Sequence, residues 1–328
     1  MKSKKLIMIV ALGALCATHF SCSKNINDIY ISTGGDCDNN GGSNNDGGGT
    51  TGGDGTNANK GFVQFTAGIE SQKTKGVYAF PKSRYATIMA YTAGTVPAVA
   101  PLSSMPYIAN SPGTLTSVSG TPMYLPNGSY DFYSVATNQK SNSNPAFTSG
   151  ASEPLKNGID YLYWNAKAQT VVPPQLSVPI TYEHECTQIV VKLVSGKGIT
   201  IDSLSAATIT PSAPGATMSL ATGVITPATS LSSAPVAMGV SALVAQYTML
   251  PVNTTTQAKA TFTIFINGET ASRNYQVSFA LPTTGWTAGN SYVYQATVDA
   301  NEIIFNSVNV RDWIPVDETN TPLYPTQI

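Results

Sequence analysis

The 328-residue sequence is short of charge, histidine and cysteine, and each shortage removes a class of function. Charged residues make up 11% of the chain and form no basic cluster, so the electrostatic footprint of a nucleic-acid binder is missing. Of the two histidines, His19 lies in an N-terminal segment expected to be removed, which leaves His184 alone. The remaining chain therefore offers no Cys–His pair and no metal-ligand cluster, and it has no phosphate-binding glycine loop. Glu183 and Glu185 flank His184, but in a strand they share the opposite face, and three groups cannot converge that way. An enzyme is not expected, nor any cofactor. Four cysteines fit no disulfide framework: Cys16 and Cys22 belong to the N-terminal segment, and a Cys37–Cys186 bridge would tie a loose linker to a strand. After the N-terminus no stretch of ten or more residues shows helical periodicity.

What is present begins with an export signal. Lys2, Lys4 and Lys5 precede an apolar run over residues 6–16, and those 11 residues are too few to span a bilayer. Ser21 then stands immediately before Cys22, as a small residue does in the lipobox of bacterial lipoproteins. Cys16 is the poorer acceptor because bulky Leu15 precedes it. The expectation is a signal peptide over 1–21 and acylation of Cys22, with palmitate as the acyl group. Removal of the three lysines leaves 14 of the 17 basic residues against 18 acidic ones, a net charge of −4. Residues 22–60 read as a tether: from Gly34 to Lys60 there are ten glycines in 27 residues, and the only apolar residues are Cys37 and Ala58. Such a segment cannot bury enough surface to offset its ordering entropy, and it is expected to be disordered with a reach of about 30 Å. Asp36 to Gly41 copies the start of a calcium loop, but the twelfth position is Gly47 instead of glutamate, so a solvated linker is the better reading.

From Gly61 onward strands dominate. Val63, Phe65, Ala67 and Ile69 alternate with Phe62, Gln64, Thr66 and Gly68, the period of a half-buried strand. The same period recurs over residues 85–91, 130–135, 189–194, 262–266, 275–279 and 292–298. Turn residues punctuate these runs at Pro126-Asn127-Gly128, Lys156-Asn157-Gly158, Asn267-Gly268 and Ala288-Gly289-Asn290. Short, evenly spaced strands with polar turns predict an all-β chain of antiparallel sandwiches. The length suits two, over 61–180 and 181–328, with the seam near Thr181 where Pro173-Pro174 and Pro179 disfavour pairing.

At this point several blocks carry a family resemblance. Trp286-Thr-Ala-Gly289-Asn-Ser-Tyr292-Val-Tyr294, followed by Val308-Asn-Val310-Arg-Asp-Trp313, resembles the closing motif of fimbrillins, the pilin subunits of type V fimbriae in Bacteroidales. Residues 61–69 followed by Lys73-Thr74-Lys75 resemble the family's first strand and the basic site after it. Tyr124 to Tyr133 resembles its middle hairpin, and His184 followed by residues 189–194 its entry into the second domain. Each block is weak alone, but together they span nearly the whole chain. Read without the resemblance, Trp286, Tyr292 and Tyr294 are core and cross-strand packing, Gly289 supplies a turn, and none forms an active site.

The resemblance implies two tandem Greek-key, transthyretin-like β-sandwiches and a cell-surface fimbrial subunit, exported as an outer-membrane lipoprotein. It also implies a mechanism. A surface trypsin-like protease cuts after a basic residue, here Lys73 or Lys75 with Arg84 a poorer choice, and releases the strand carrying Val63, Phe65, Ala67 and Ile69. The C-terminal segment of another subunit then fills the groove, here residues 302–310 with Ile303, Phe305, Val308 and Val310 as donor side chains. The implied partners are other fimbrial subunits, the outer membrane through the lipid, and a surface receptor or glycan. The competing expectation is a lipid-anchored glycan binder whose exposed aromatics stack on sugars, with Trp164 the residue to watch.

Overall fold

In the computed structural model, the structure describes residues 59–71, 76–279 and 281–311. Cys22, Cys37, Lys73, Lys75 and Trp313 lie outside the described residues. The first half of the described chain comprises β1 (Lys60–Glu70), β2 (Val77–Ala79), β3 (Tyr85–Thr92), β4 (Ser103–Ser111), β5 (Thr114–Ser117), β6 (Met123–Pro126) and β7 (Gly128–Ala136). A small hairpin, β8 (Phe147–Thr148) with β9 (Ala151–Ser152), precedes a long one, β10 (Leu162–Val171) with β11 (Gln175–His184). The second half comprises β12 (Thr187–Ser195), β13 (Ile201–Ile209), β14 (Val236–Ala237), β15 (Gly239–Ser241), β16 (Val244–Met249), β17 (Ala258–Ile266), β18 (Arg273–Phe279), β19 (Ser291–Val298) and β20 (Ile303–Arg311). The described residues contain strands and no helix. Every alternating run expected from the sequence falls inside one of these strands.

The first half is one sheet that curls back on itself. Its order is β11-β10-β7-β3-β4-β5-β1-β2, with β6 also on β1, and β1 pairs with β11 to close the ring. Inside lies a core built from every long strand, including Phe65, Ile88, Phe132, Leu162, Ile180 and Tyr182. The second half is a sandwich of two sheets, β15-β16-β12-β19-β20 facing β14-β13-β17-β18. Its core draws on both, with Ile189, Ile209, Phe262, Tyr294 and Trp286 among the buried side chains. Each half adds one parallel pair to an otherwise antiparallel set, β1 with β11 and β12 with β19. Sheet membership changes between His184 and Thr187, while Thr181 and Pro179 lie within β11. Pro179 is tolerated in that strand, opposite Thr66 of β1, because one missing donor removes a single rung of the ladder.

The two halves share a third cluster. Tyr133 and Val135 project from β7 on the side opposite Tyr130 and Phe132, and Met218, Leu220 and Leu250 of the second half cover them. β7 is thus buried on both faces, which explains its nearly unbroken apolar composition. Tyr163 Oη donates to Leu220 O at 2.8 Å across the same junction.

Candidate assembly groove

β1 is an interior strand. On one side it runs parallel to β11 in unbroken register from Phe62 opposite Gln175 to Ile69 opposite Tyr182. On the other side three short strands succeed one another: β6 opposite Lys60–Val63, β5 opposite Phe65 and Thr66, and β2 opposite Gly68–Glu70. Loop backbone completes the ladder, with Phe62 N donating to Pro174 O at 3.0 Å and Ala67 N to Gly113 O at 2.9 Å. Val63, Phe65, Ala67 and Ile69 all point into the core, and the Phe65 ring is fully buried. It meets Tyr107 and Phe132 edge-on, with centroids 5.3 and 5.7 Å away. Gly68 is required for close approach: a Cβ there would lie 2.4 Å from Val77 Cγ1 and 3.0 Å from Tyr78 O. Withdrawing β1 would therefore leave a slot with two unsatisfied edges and an apolar floor, instead of the single open edge that a border strand leaves.

Chain order leaves this strand an exit. β1 is the first described strand, so among the described residues nothing has to be threaded through the sheet to release it once its connection to β2 is cut. Ser71 N donates to Gly76 O at 2.8 Å and closes the base of that connection, which carries Lys73 and Lys75. Arg84, the poorer basic candidate, is only 4% exposed and so out of a protease's reach.

β20 contrasts with β1. It ends the order of its sheet and pairs with β19 alone among the described strands. Its register slips between Ser307 opposite Gln295 and Phe305 opposite Ala296, so Asn306 is the extra residue of a bulge. The bulge resets the alternation. As a result positions 303, 305, 308 and 310 oppose Val298, Ala296, Tyr294 and Tyr292, which are all buried core residues. Ile303 packs against that core, yet Val308 and Val310 are 44% and 45% exposed. An apolar strand at a sheet border, half uncovered, is a site prone to pair with another chain.

The other residues singled out by sequence take structural roles. Trp286 is fully buried and its Nε1 donates to Tyr294 Oη at 2.9 Å, while Phe279 packs on both rings. Burial pushes the Tyr294 hydroxyl up to about 12. Gly289 adopts φ 74°, the left-handed turn its position requires. Buried His184 shares a hydrogen bond between Nδ1 and Asp160 Oδ1 at 2.8 Å, and Glu183 and Glu185 lie on the other face. Cys186 is fully buried, its thiol 3.2 Å from Ile159 O and pushed up by burial. Trp164 is half-buried, packs on the first core and borders a small hollow of about 160 Å³ with Glu183 and Glu185. Sequence reasoning missed the second wall of the groove. Three- and four-residue strands are too short to show a period, and of the three only β6 adjoined a recognised turn.

Known proteins agree with this architecture. A crystal structure provisionally described as a cell adhesion protein of Bacteroides uniformis superposes with a TM-score of 0.58 at 15% identity, covering 77% of this chain and 98% of that one. One from Bacteroides ovatus, described likewise, gives 0.58 at 15% identity over 79% and 99%. One from Bacteroides fragilis gives 0.54 at 17% identity over 77% and 98%. At such identities the likeness speaks for the fold. No curated protein matches the sequence significantly. Residues 56–313, most of the chain, match the fimbrillin-like family. The chain belongs to that fimbrillin-like family, whose members are structural or adhesive subunits of fimbriae.

Proposed function

We propose that this protein is exported as a lipoprotein acylated at Cys22, and that it enters a cell-surface fimbria by losing β1 and accepting the β20 region of a neighbouring subunit. The observation that carries the proposal is the contrast between the two strands. β1 is a first, interior strand that fills a two-walled apolar slot. β20 is a border strand with half-uncovered valines. Burial of Val63, Phe65, Ala67 and Ile69 contributes about 5–8 kcal/mol, so a bare slot is strongly unfavourable and a matching strand restores both the ladder and the buried surface. The donor positions 303, 305, 308 and 310 are four apolar residues, the same number as the slot loses. Cleavage after Lys73 or Lys75 is what makes the exchange one-way, since the released strand is no longer tethered at effective concentrations in the millimolar range.

The test is the double substitution Lys73→Ala with Lys75→Ala. Surface filaments should vanish while the protein accumulates as a folded, uncleaved monomer. Normal filaments from the double variant would remove both lysines from the mechanism.

A further inference from the structure

The slot that β1 fills is graded in size along its length. From the start of the strand it holds Val63, Phe65, Ala67 and Ile69, so its second place is wide and its third narrow. The wide place is an aromatic box: the Tyr107 and Phe132 rings stand edge-on to Phe65, with centroids 5.3 and 5.7 Å away. Two further marks fix positions along the slot. Thr66 faces Pro179 of β11, which has no N–H to give the ladder. At Gly68 a Cβ would lie 2.4 Å from Val77 Cγ1 and 3.0 Å from Tyr78 O, so that position resists a branched residue.

β20 carries a matching order of sizes. Positions 303, 305, 308 and 310 read Ile, Phe, Val and Val, with the bulge at Asn306 between the second and the third. Laid along the slot in the direction of β1, Ile303 replaces Val63, Phe305 replaces Phe65, Val308 replaces Ala67 and Val310 replaces Ile69. The aromatic ring falls in the aromatic box, and the largest misfit is the two carbons by which valine exceeds alanine. The bulge falls where Thr66 stood, beside Pro179, where a rung of the ladder is already missing. Unbranched Asn309 takes the place of Gly68, and exposed Val77 can turn aside from it. Laid in the opposite direction, Phe305 falls on Ala67, Val308 leaves the box under-filled, and β-branched Ile304 falls on Gly68. Overfilling and underfilling both destabilise a core, so the first direction fits and the second does not.

We infer that the slot is filled by a second copy of this chain, entering with the direction of β1 and setting its Phe305 between Tyr107 and Phe132. The inference rests on the strand-exchange reading above and adds to it the partner, the polarity and the residue that sets the register. A shift by two residues either way would put Phe305 in the place of Val63 or Ala67, so the box admits one register. Entry in this direction also keeps every pairing sense that β1 has, parallel to β11 and antiparallel to β6, β5 and β2.

The test is disulfide trapping in filaments of the full chain, which are oxidised, denatured and compared with parent filaments treated alike. Gln64 of β1 faces Ser177 of β11. In the inferred direction Ile304 of the incoming copy takes the place of Gln64, and in the opposite direction Asn309 takes it. Ile304→Cys with Ser177→Cys should therefore give a ladder of linked multimers in steps of one chain, and Asn309→Cys with Ser177→Cys should give none beyond the parent. All three positions are exposed, so the substitutions spare the core, and fully buried Cys186 stays out of the exchange. A second readout is filament yield. Phe305→Ala should lower it about tenfold or more, and Val308→Ala by no more than about twofold. A ladder from the Asn309 pair, a ladder from neither pair, or the greater loss from Val308→Ala would overturn the inference, while parent filaments whose subunits lack β1 keep strand exchange standing. Parent filaments whose subunits retain β1 would remove strand exchange, and this inference with it.

Discussion

Single residues carry opposite duties in this molecule. Phe65 serves the core and, in the proposed exchange, is discarded with its strand, while Glu185 sits where a carboxylate is poorly served. Burial first and the neighbouring Glu183 second push the Glu185 carboxyl up to about 8. In the unfolded chain it titrates near about 4.3, so folding takes up a proton between those two values. The stability linked to this group is complete below about pH 4.3 and is lost as the pH rises through the folded value near 8. Glu185→Gln should flatten that decline. Partial exposure trims the effect, and at pH 8 the variant should be more stable by about 2 kcal/mol, a rise in Tm of about 4–8 °C, with little difference at pH 5. Thermal melts at the two pH values check this, and an equal shift at both would assign the effect to packing. The sequence placed Glu185 beside Glu183 on one face but gave no sign of its burial, which comes from Trp164 of β10 and Thr222 of a distant loop.

At the scale of elements, β1 and β20 carry the proposed exchange, and they were unequally legible. The alternation of Val63, Phe65, Ala67 and Ile69 announced β1 and its buried face directly. Its neighbours could not be inferred: the parallel partner β11 lies more than a hundred residues away, and Pro179 made that segment look like a seam. For β20 the sequence showed apolar residues at 303, 305, 308 and 310, a pattern broken in phase, and the bulge at Asn306 is what brings the positions to one face. The hydrogen bond between His184 and Asp160 was invisible, since the two residues come from separate segments and match no motif. β20 also carries its own prediction. Val308 and Val310 are about half exposed, so Val308→Asp with Val310→Asp should cost the monomer no more than about 1–2 kcal/mol. The same pair should abolish filaments, because two charges cannot enter a slot lined by Tyr107 and Phe132. Chemical denaturation and electron microscopy of the double variant read the two effects separately.

For the whole molecule, the division of labour follows from chain order. The first half presents an interior strand at the beginning of the described residues, and the second half presents a border strand at the end, so in the proposed exchange one subunit is acceptor at one site and donor at another. Head-to-tail repetition of one such contact does not close on itself and yields a filament. The buried junction around Tyr133, Tyr163 and Leu220 couples the two halves, and in the proposed exchange it would carry load from the donor strand to the acceptor slot through packed side chains. Mass spectrometry of subunits taken from purified surface filaments tests this arrangement most directly. Subunits beginning just after Lys73 or Lys75, without the strand that carries Val63, Phe65, Ala67 and Ile69, are the predicted result. Filaments whose subunits retain that strand would contradict it.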